Sequence, residues 1–149
     1  MIYISHLFPD DQMEELIRQS GMGVESIDFS IADNLDHFSE SIDVYREKLK
    51  KMGTRELILH GPFLDVNPAA YDRLVREVTM KRFDQCYQAG LLLGARKIVF
   101  HSGMTPYVYY KQGWADQVSR FLSEFMDGRQ ALAIVLENVF DDDWDLLLD

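Results

Sequence analysis

Three residues able to hold a metal or move a proton each stand where an apolar run ends. His60 closes the strand-like part of "ELILHGPFLDVNP" (56–68), and His101 that of "RKIVFHSG" (96–103). Glu137 ends the run in "LAIVLEN" (132–138), where a carboxylate requires a partner to be tolerated. Two imidazoles and a carboxylate drawn from neighbouring segments can converge on a divalent metal or on a polyhydroxylated ligand. His6 follows "IYIS" (2–5) in the same way and is expected at the mouth of the fold. His37 falls at a helix start and is expected to be solvated.

The elements that place these residues are legible from periodicity. Five short runs read as strands: "IYIS" (2–5), "VESIDFSI" (24–31), "ELILH" (56–60), "KIVFH" (97–101) and "LAIVLEN" (132–138). Several are nearly continuous in Ile, Val, Leu and Phe, the pattern of strands buried on both faces of a parallel sheet. Helices are predicted between them. In "DDQMEELIRQSG", Met13, Leu16 and Ile17 share a face, Asp10 or Asp11 caps the start and Gly21 ends it. Phe38, Ile42, Tyr45 and Leu49 follow helical spacing up to Gly53. Asn67 and Pro68 read as the start of a third helix bearing Tyr71, Leu74, Val75 and Val78. Trp114, Val118, Phe121, Leu122 and Phe125 mark a fourth.

An internal echo ties the units together. "MGTRELILH" (52–60) aligns without a gap on "LGARKIVFH" (93–101), matching Gly53 to Gly94, Arg55 to Arg96 and His60 to His101. Alternating β and α units build a doubly wound sheet or a (β/α)8 barrel, and in both, ligands sit at the carboxyl ends of the strands. His6, Ser30 (or Asp28 just before it), His60, His101 and Glu137 are the residues expected there. "YVYY" (107–110) follows the fourth strand, where its rings either pack the loop or offer faces to a sugar. The acidic stretches "PDD" and "DDDWD" suit helix starts. Ser5 and Ser102 neighbour histidines in sequence only, which makes no triad.

Composition bounds the rest. The chain has 149 residues, 47% hydrophobic and 27% charged, enough for one domain with a real core. No apolar run approaches membrane-spanning length, and no signal peptide is evident. The one cysteine, Cys86, excludes an internal disulfide, so a cytoplasmic location is expected. A formal charge of −10 disfavours nucleic acid as partner.

In order and spacing, "LHGPFLDVNP", "RKIVFHSG" and "IVLENV" resemble the xylose isomerase-like TIM-barrel superfamily. That group holds sugar phosphate isomerases and epimerases, sugar 3-epimerases, inosose dehydratases and nucleases of the endonuclease IV type. The resemblance runs over strands one to five, with "HSG" where many members carry "HPG". It implies an α/β fold: a partial (β/α)8 TIM barrel of about five βα units, residues 1–149 forming one truncated domain. It also implies a divalent metal (zinc, manganese or magnesium) and a small sugar or sugar phosphate as substrate. Glu137, His60 and His101 are the implied ligands, Glu137 and His101 the implied catalytic pair, and His60, His6 and Asn138 the implied substrate contacts. In the isomerase and epimerase branch the two histidines would more often face substrate, and Glu137 would join metal ligands from strands six, seven and eight. In the endonuclease branch both histidines would join it, for phosphodiester hydrolysis.

A complete barrel takes about 250 residues. The expectation is therefore weak or absent metal binding by this chain and a non-catalytic, assembling role as the competing reading. Two open apolar edges, "IYIS" and "LAIVL", predict a homo-oligomer. The opposing expectation is a monomer in which Trp144, Leu146, Leu147 and Leu148 fold back over the gap.

Overall fold

The computed structural model describes residues 1–141 and 145. Five strands run β1 (Tyr3–Ser5), β2 (Gly23–Ser26), β3 (Leu57–His60), β4 (Lys97–His101) and β5 (Ala133–Glu137). They form one sheet in the order β1-β2-β3-β4-β5, and every pairing is parallel. Helices α1 (Asp10–Ser20), α2 (Ala32–Asp36), α3 (Phe38–Met52), α4 (Arg73–Leu93) and α5 (Lys111–Met126) connect them. Sequential order with packing helices between the strands is the arrangement of a partial (β/α)8 barrel, not of a doubly wound sheet.

Strand alternation sorts the residues into two faces. Val24, Leu57, Leu59, Ile98 and Phe100 meet the helices in one core with Met13, Ile17, Ile42, Tyr45, Phe83 and Phe125. Phe83 and Phe100 stack at 3.8 Å between centroids, and Phe121 and Phe125 meet Phe83 edge-on. The opposite face carries Ser5, Glu25, Ile58, Lys97, Val99 and, at its carboxyl end, His60, His101 and Glu137. Ser5 donates to Glu25 Oε2 at 2.5 Å. This face is more polar than the apolar interior expected of a closed barrel, and among the described residues it has no opposing strands.

Several expected boundaries are corrected. Strand β2 stops at Ser26, and Asp28–Ser30 form a 3-10 turn. Local bonds from Ser30 Oγ to the Ile27 carbonyl and from Asp28 N to Ser26 Oγ compete with the ladder there. Neither Ser30 nor Asp28 is therefore a strand-exit residue. Asn67 does not start α4; its Oδ1 accepts from Ala69 N at 2.7 Å and closes a tight turn. Asp72 is the cap, accepting from Leu74 N and Val75 N, so Tyr71 lies outside the helix. Leu74, Val75 and Val78 are exposed, and α4 buries Thr79, Phe83, Cys86, Tyr87, Ala89 and Gly90 instead, unbroken to Leu93. Pro9 occupies the N-cap position of α1, with Asp10 and Asp11 in its first turn. The second predicted helix is α3, ending at Gly53 as expected, and the short α2 that precedes it across His37 was not anticipated. Trp144, Leu146, Leu147 and Leu148 lie outside the described residues.

Candidate metal and ligand site

The parallel register brings three strand ends into line. His101 and Glu137 are direct Cα partners on β4 and β5, and His60 pairs with Val99, one strand over. His101 Nε2 lies 3.2 Å from His60 Nε2 and 3.3 Å from Glu137 Oε2. His60 Nε2 lies 3.4 Å from the same oxygen. Four ligands around a tetrahedral ion at bond lengths of about 2.0–2.1 Å are separated by about 3.3–3.4 Å. The triangle thus matches one face of such a shell, and no other group of His, Cys, Asp and Glu among the described residues comes together this way.

Protonation favours the same use. His60 Nδ1 lies 2.9 Å from the Gly61 carbonyl, which can only accept, so Nδ1 carries a hydrogen and Nε2 is the nitrogen turned toward the cluster. Burial and the neighbouring His60 lower the His101 pKa, against the opposing pull of Glu137 and Asp141. Neutral imidazoles are what a metal requires. Two lone-pair nitrogens this close repel each other unless a proton or a cation lies between them.

Two glycines let the histidines stand there. A Cβ at Gly61 would sit 2.1 Å from the Phe100 ring, so the chain leaving β3 runs directly over that core residue. Gly103 has φ +74, and a Cβ on it would meet Asn67 Oδ1 at 2.2 Å. The "HG" and "HSG" signatures are thus spatial requirements of the two exits. Phe63, not singled out in the sequence, packs its ring 5.1 Å from His60 and 4.8 Å from His101. An apolar residue three places after a strand-end histidine was the available signal.

Other candidates are placed differently. His6 is 6% exposed, with Nδ1 3.3 Å from the Tyr45 hydroxyl and Nε2 3.1 Å from Asp10. It is held in a network with Lys48, which bridges Asp10 and Asp28, and does not join the cluster. Asn138 follows Glu137 and is exposed. His37 is solvated, as expected, beside Asp33. A cavity of about 360 Å³ opens beside His101 between the loops after β3, β4 and β5. Asp141, next to that cavity's Phe140, is 5% exposed, and neither carboxylate oxygen has a hydrogen-bond partner among the described residues.

No protein-family model matches the chain. An uncharacterized protein of Methanocaldococcus jannaschii, MJ1311, is 28% identical over 78 residues, which is 52% of this chain and 25% of that protein. Among solved structures, a D-tagatose 3-epimerase-like protein superposes with a TM-score of 0.72 at 21% identity, covering 95% of this chain and 54% of the other. Endonuclease IV from Thermus thermophilus superposes with a TM-score of 0.55 at 15% identity, covering 95% and 52%. The fold is that of about half of a TIM barrel, shared with these structures. The chain spans about half the length of these barrels and a quarter of MJ1311.

Proposed function

We propose that the chain is the metal-centred part of a sugar or sugar phosphate isomerase or epimerase. The observation that supports this reading is the His60–His101–Glu137 triangle at adjacent strand ends, in a fold shared with an epimerase-like barrel. A divalent ion held there would act as a Lewis acid toward a sugar carbonyl or neighbouring hydroxyls. The protein's part is to present two ring nitrogens in fixed orientation, His60 through the contact of its Nδ1 with the Gly61 carbonyl and His101 at the end of β4 beside Glu137. Glu137, half-exposed, is the group placed to accept or return a proton at the sugar carbon. Phe63 shields the histidines from water on one side.

The three ligands alone hold the ion loosely, because affinity grows with ligand count and an ordered surrounding shell. Turnover then depends on groups supplied from beyond these five strands, and the open edges favour a homo-oligomer. The test is exchange of a sugar C–H proton with solvent deuterium, followed by NMR over a panel of ketoses and their phosphates with zinc, manganese or magnesium. Exchange that disappears in Glu137→Gln supports the reading; exchange unchanged in that variant contradicts it.

One observation favours a second reading, phosphodiester hydrolysis of the endonuclease IV kind: both histidines, not Glu137 alone, face the position an ion would take. The −10 charge opposes it, since a polyanion would be repelled. Incision of abasic DNA by the zinc-supplemented chain would select this reading over the first.

A further inference from the structure

We infer that the polar face of the sheet docks on the same face of a second copy of the chain, with Glu25 of each copy set against Lys97 of the other. The surface is distinct from the two strand edges, and its fit is independent of what the histidine–glutamate cluster binds.

The register makes this face complementary to itself. Glu25 pairs with Ser5 on one side and with Ile58 on the other. Leu59 pairs with Ile98, which sets Ile58 level with Lys97, and Lys97 pairs with Ala133. Ser5, Glu25, Ile58, Lys97 and Ala133 thus form one row across the sheet, and strand alternation turns all five away from the helices. Ile58 is the centre of the row; it is buried, yet it is not part of the core that the helices cover. A carboxylate stands one strand away on one side of it and an ammonium one strand away on the other. A twofold axis running along β3 exchanges the two sides, so Glu25 of one copy meets Lys97 of the other and the second contact follows by symmetry. Two like charges flanking Ile58 would repel under the same operation.

Both charges lack an opposite charge in their own chain. The one side-chain partner of Glu25 among the described residues is the Ser5 hydroxyl, and Lys97 has no ion-pair partner among them. Both residues are half-buried. Partly desolvated charges gain most from an opposite charge brought by another surface. The remaining charges toward the amino end are already matched: Tyr3 lies over Gly23 and donates to Glu56, whose carboxylate also holds the Arg96 guanidinium. Beyond the row, Val99 and Val135 pair side by side, and Val135 is 37% exposed. Apolar side chains beside a few opposed charges are the composition of a protein interface. The same axis keeps the carboxyl ends of both copies together, so the two His60–His101–Glu137 clusters open on one mouth. A divalent ion there would add positive charge two to four residues beyond the row, and the contact is therefore measured without it.

Sedimentation velocity in the presence of a chelator, over a range of concentrations, compares the parent chain with Glu25→Lys, Lys97→Glu and the double variant Glu25→Lys/Lys97→Glu. The parent is expected to dimerise. Each single variant sets like charges against each other and is expected to raise the dimer dissociation constant about ten-fold or more. The double variant restores opposite charges at both contacts and is expected to return to within about three-fold of the parent. An equimolar mixture of the two single variants is expected to form a heterodimer, because each then meets opposite charge at both contacts. Circular dichroism checks that the fold is retained, and the milder Glu25→Gln and Lys97→Met, each expected to weaken the dimer about three-fold, serve where a charge reversal unfolds the chain. A parent that is monomeric at every concentration overturns the inference. So does a dimer whose dissociation constant is the same in the parent and the single variants, which puts the interface on another face, and so does a mixture that forms no heterodimer.

Discussion

At the scale of single residues, the proposed site rests on three side chains, and one of them has a shifted titration. Burial and the adjacent His60 disfavour protonation of His101, so its folded-state pKa lies below the unfolded value of about 6.5. A depressed pKa stabilises the fold above that unfolded value, and the contribution is lost as pH falls through the folded one. Urea unfolding of the metal-free chain should therefore show stability declining below about pH 6.5, and declining less in His101→Gln. Equal pH dependence in both proteins would count against this assignment. His60, His101 and Glu137 were legible because each polar group closes an apolar run, a position that periodicity identifies. His6 occupies the same kind of position, yet its partners, Tyr45 and Asp10, are set by helix packing that no local pattern reveals. Phe63 was missed although its place three residues after His60 was a local signal.

At the scale of elements, the exits of β3 and β4 depend on what lies beneath them. Gly61→Ala drives a methyl group into the Phe100 ring, and overpacking of this kind costs about 1–3 kcal/mol. Phe100→Ala removes the partner stacked on Phe83 and leaves a cavity, for a loss of about 3–5 kcal/mol. Chemical denaturation checks both, and a Gly61→Ala protein as stable as the parent would show that the chain can move off the ring. The existence of the strands and two of the helix ends were readable from hydrophobic runs and from Gly21 and Gly53. Asn67–Pro68 misled because an Asx turn and an N-cap use the same side-chain oxygen on nearby amides. The exposed Leu74, Val75 and Val78 misled because helical spacing marks a face without saying what covers it.

At the scale of the molecule, the five parallel strands have two edges without a further strand among the described residues, and β5 is the barer: Val135 and Leu136 are 37% and 36% exposed. An unpaired edge with apolar side chains invites another chain. The opposite face, with Ser5, Glu25 and Lys97, is wetter than a barrel interior and tolerates solvent or a polar partner. No helix among the described residues is long and apolar enough to cross a membrane. Sedimentation equilibrium at micromolar concentration is expected to show a species heavier than the monomer, and charge substitutions on the β5 edge, such as Val135→Lys, are expected to dissociate it. A monomer at every concentration would remove assembly from the account.

The central claim is that His60, His101 and Glu137 act as one metal site. It is tested most directly by zinc titration against a chromophoric chelator, comparing the parent chain with Glu137→Ala and His101→Ala. The account predicts a single weak equivalent in the parent and a loss of about 10–100-fold in either variant, with the fold retained by circular dichroism. Zinc bound with the same affinity by all three proteins, or by none of them, would contradict it.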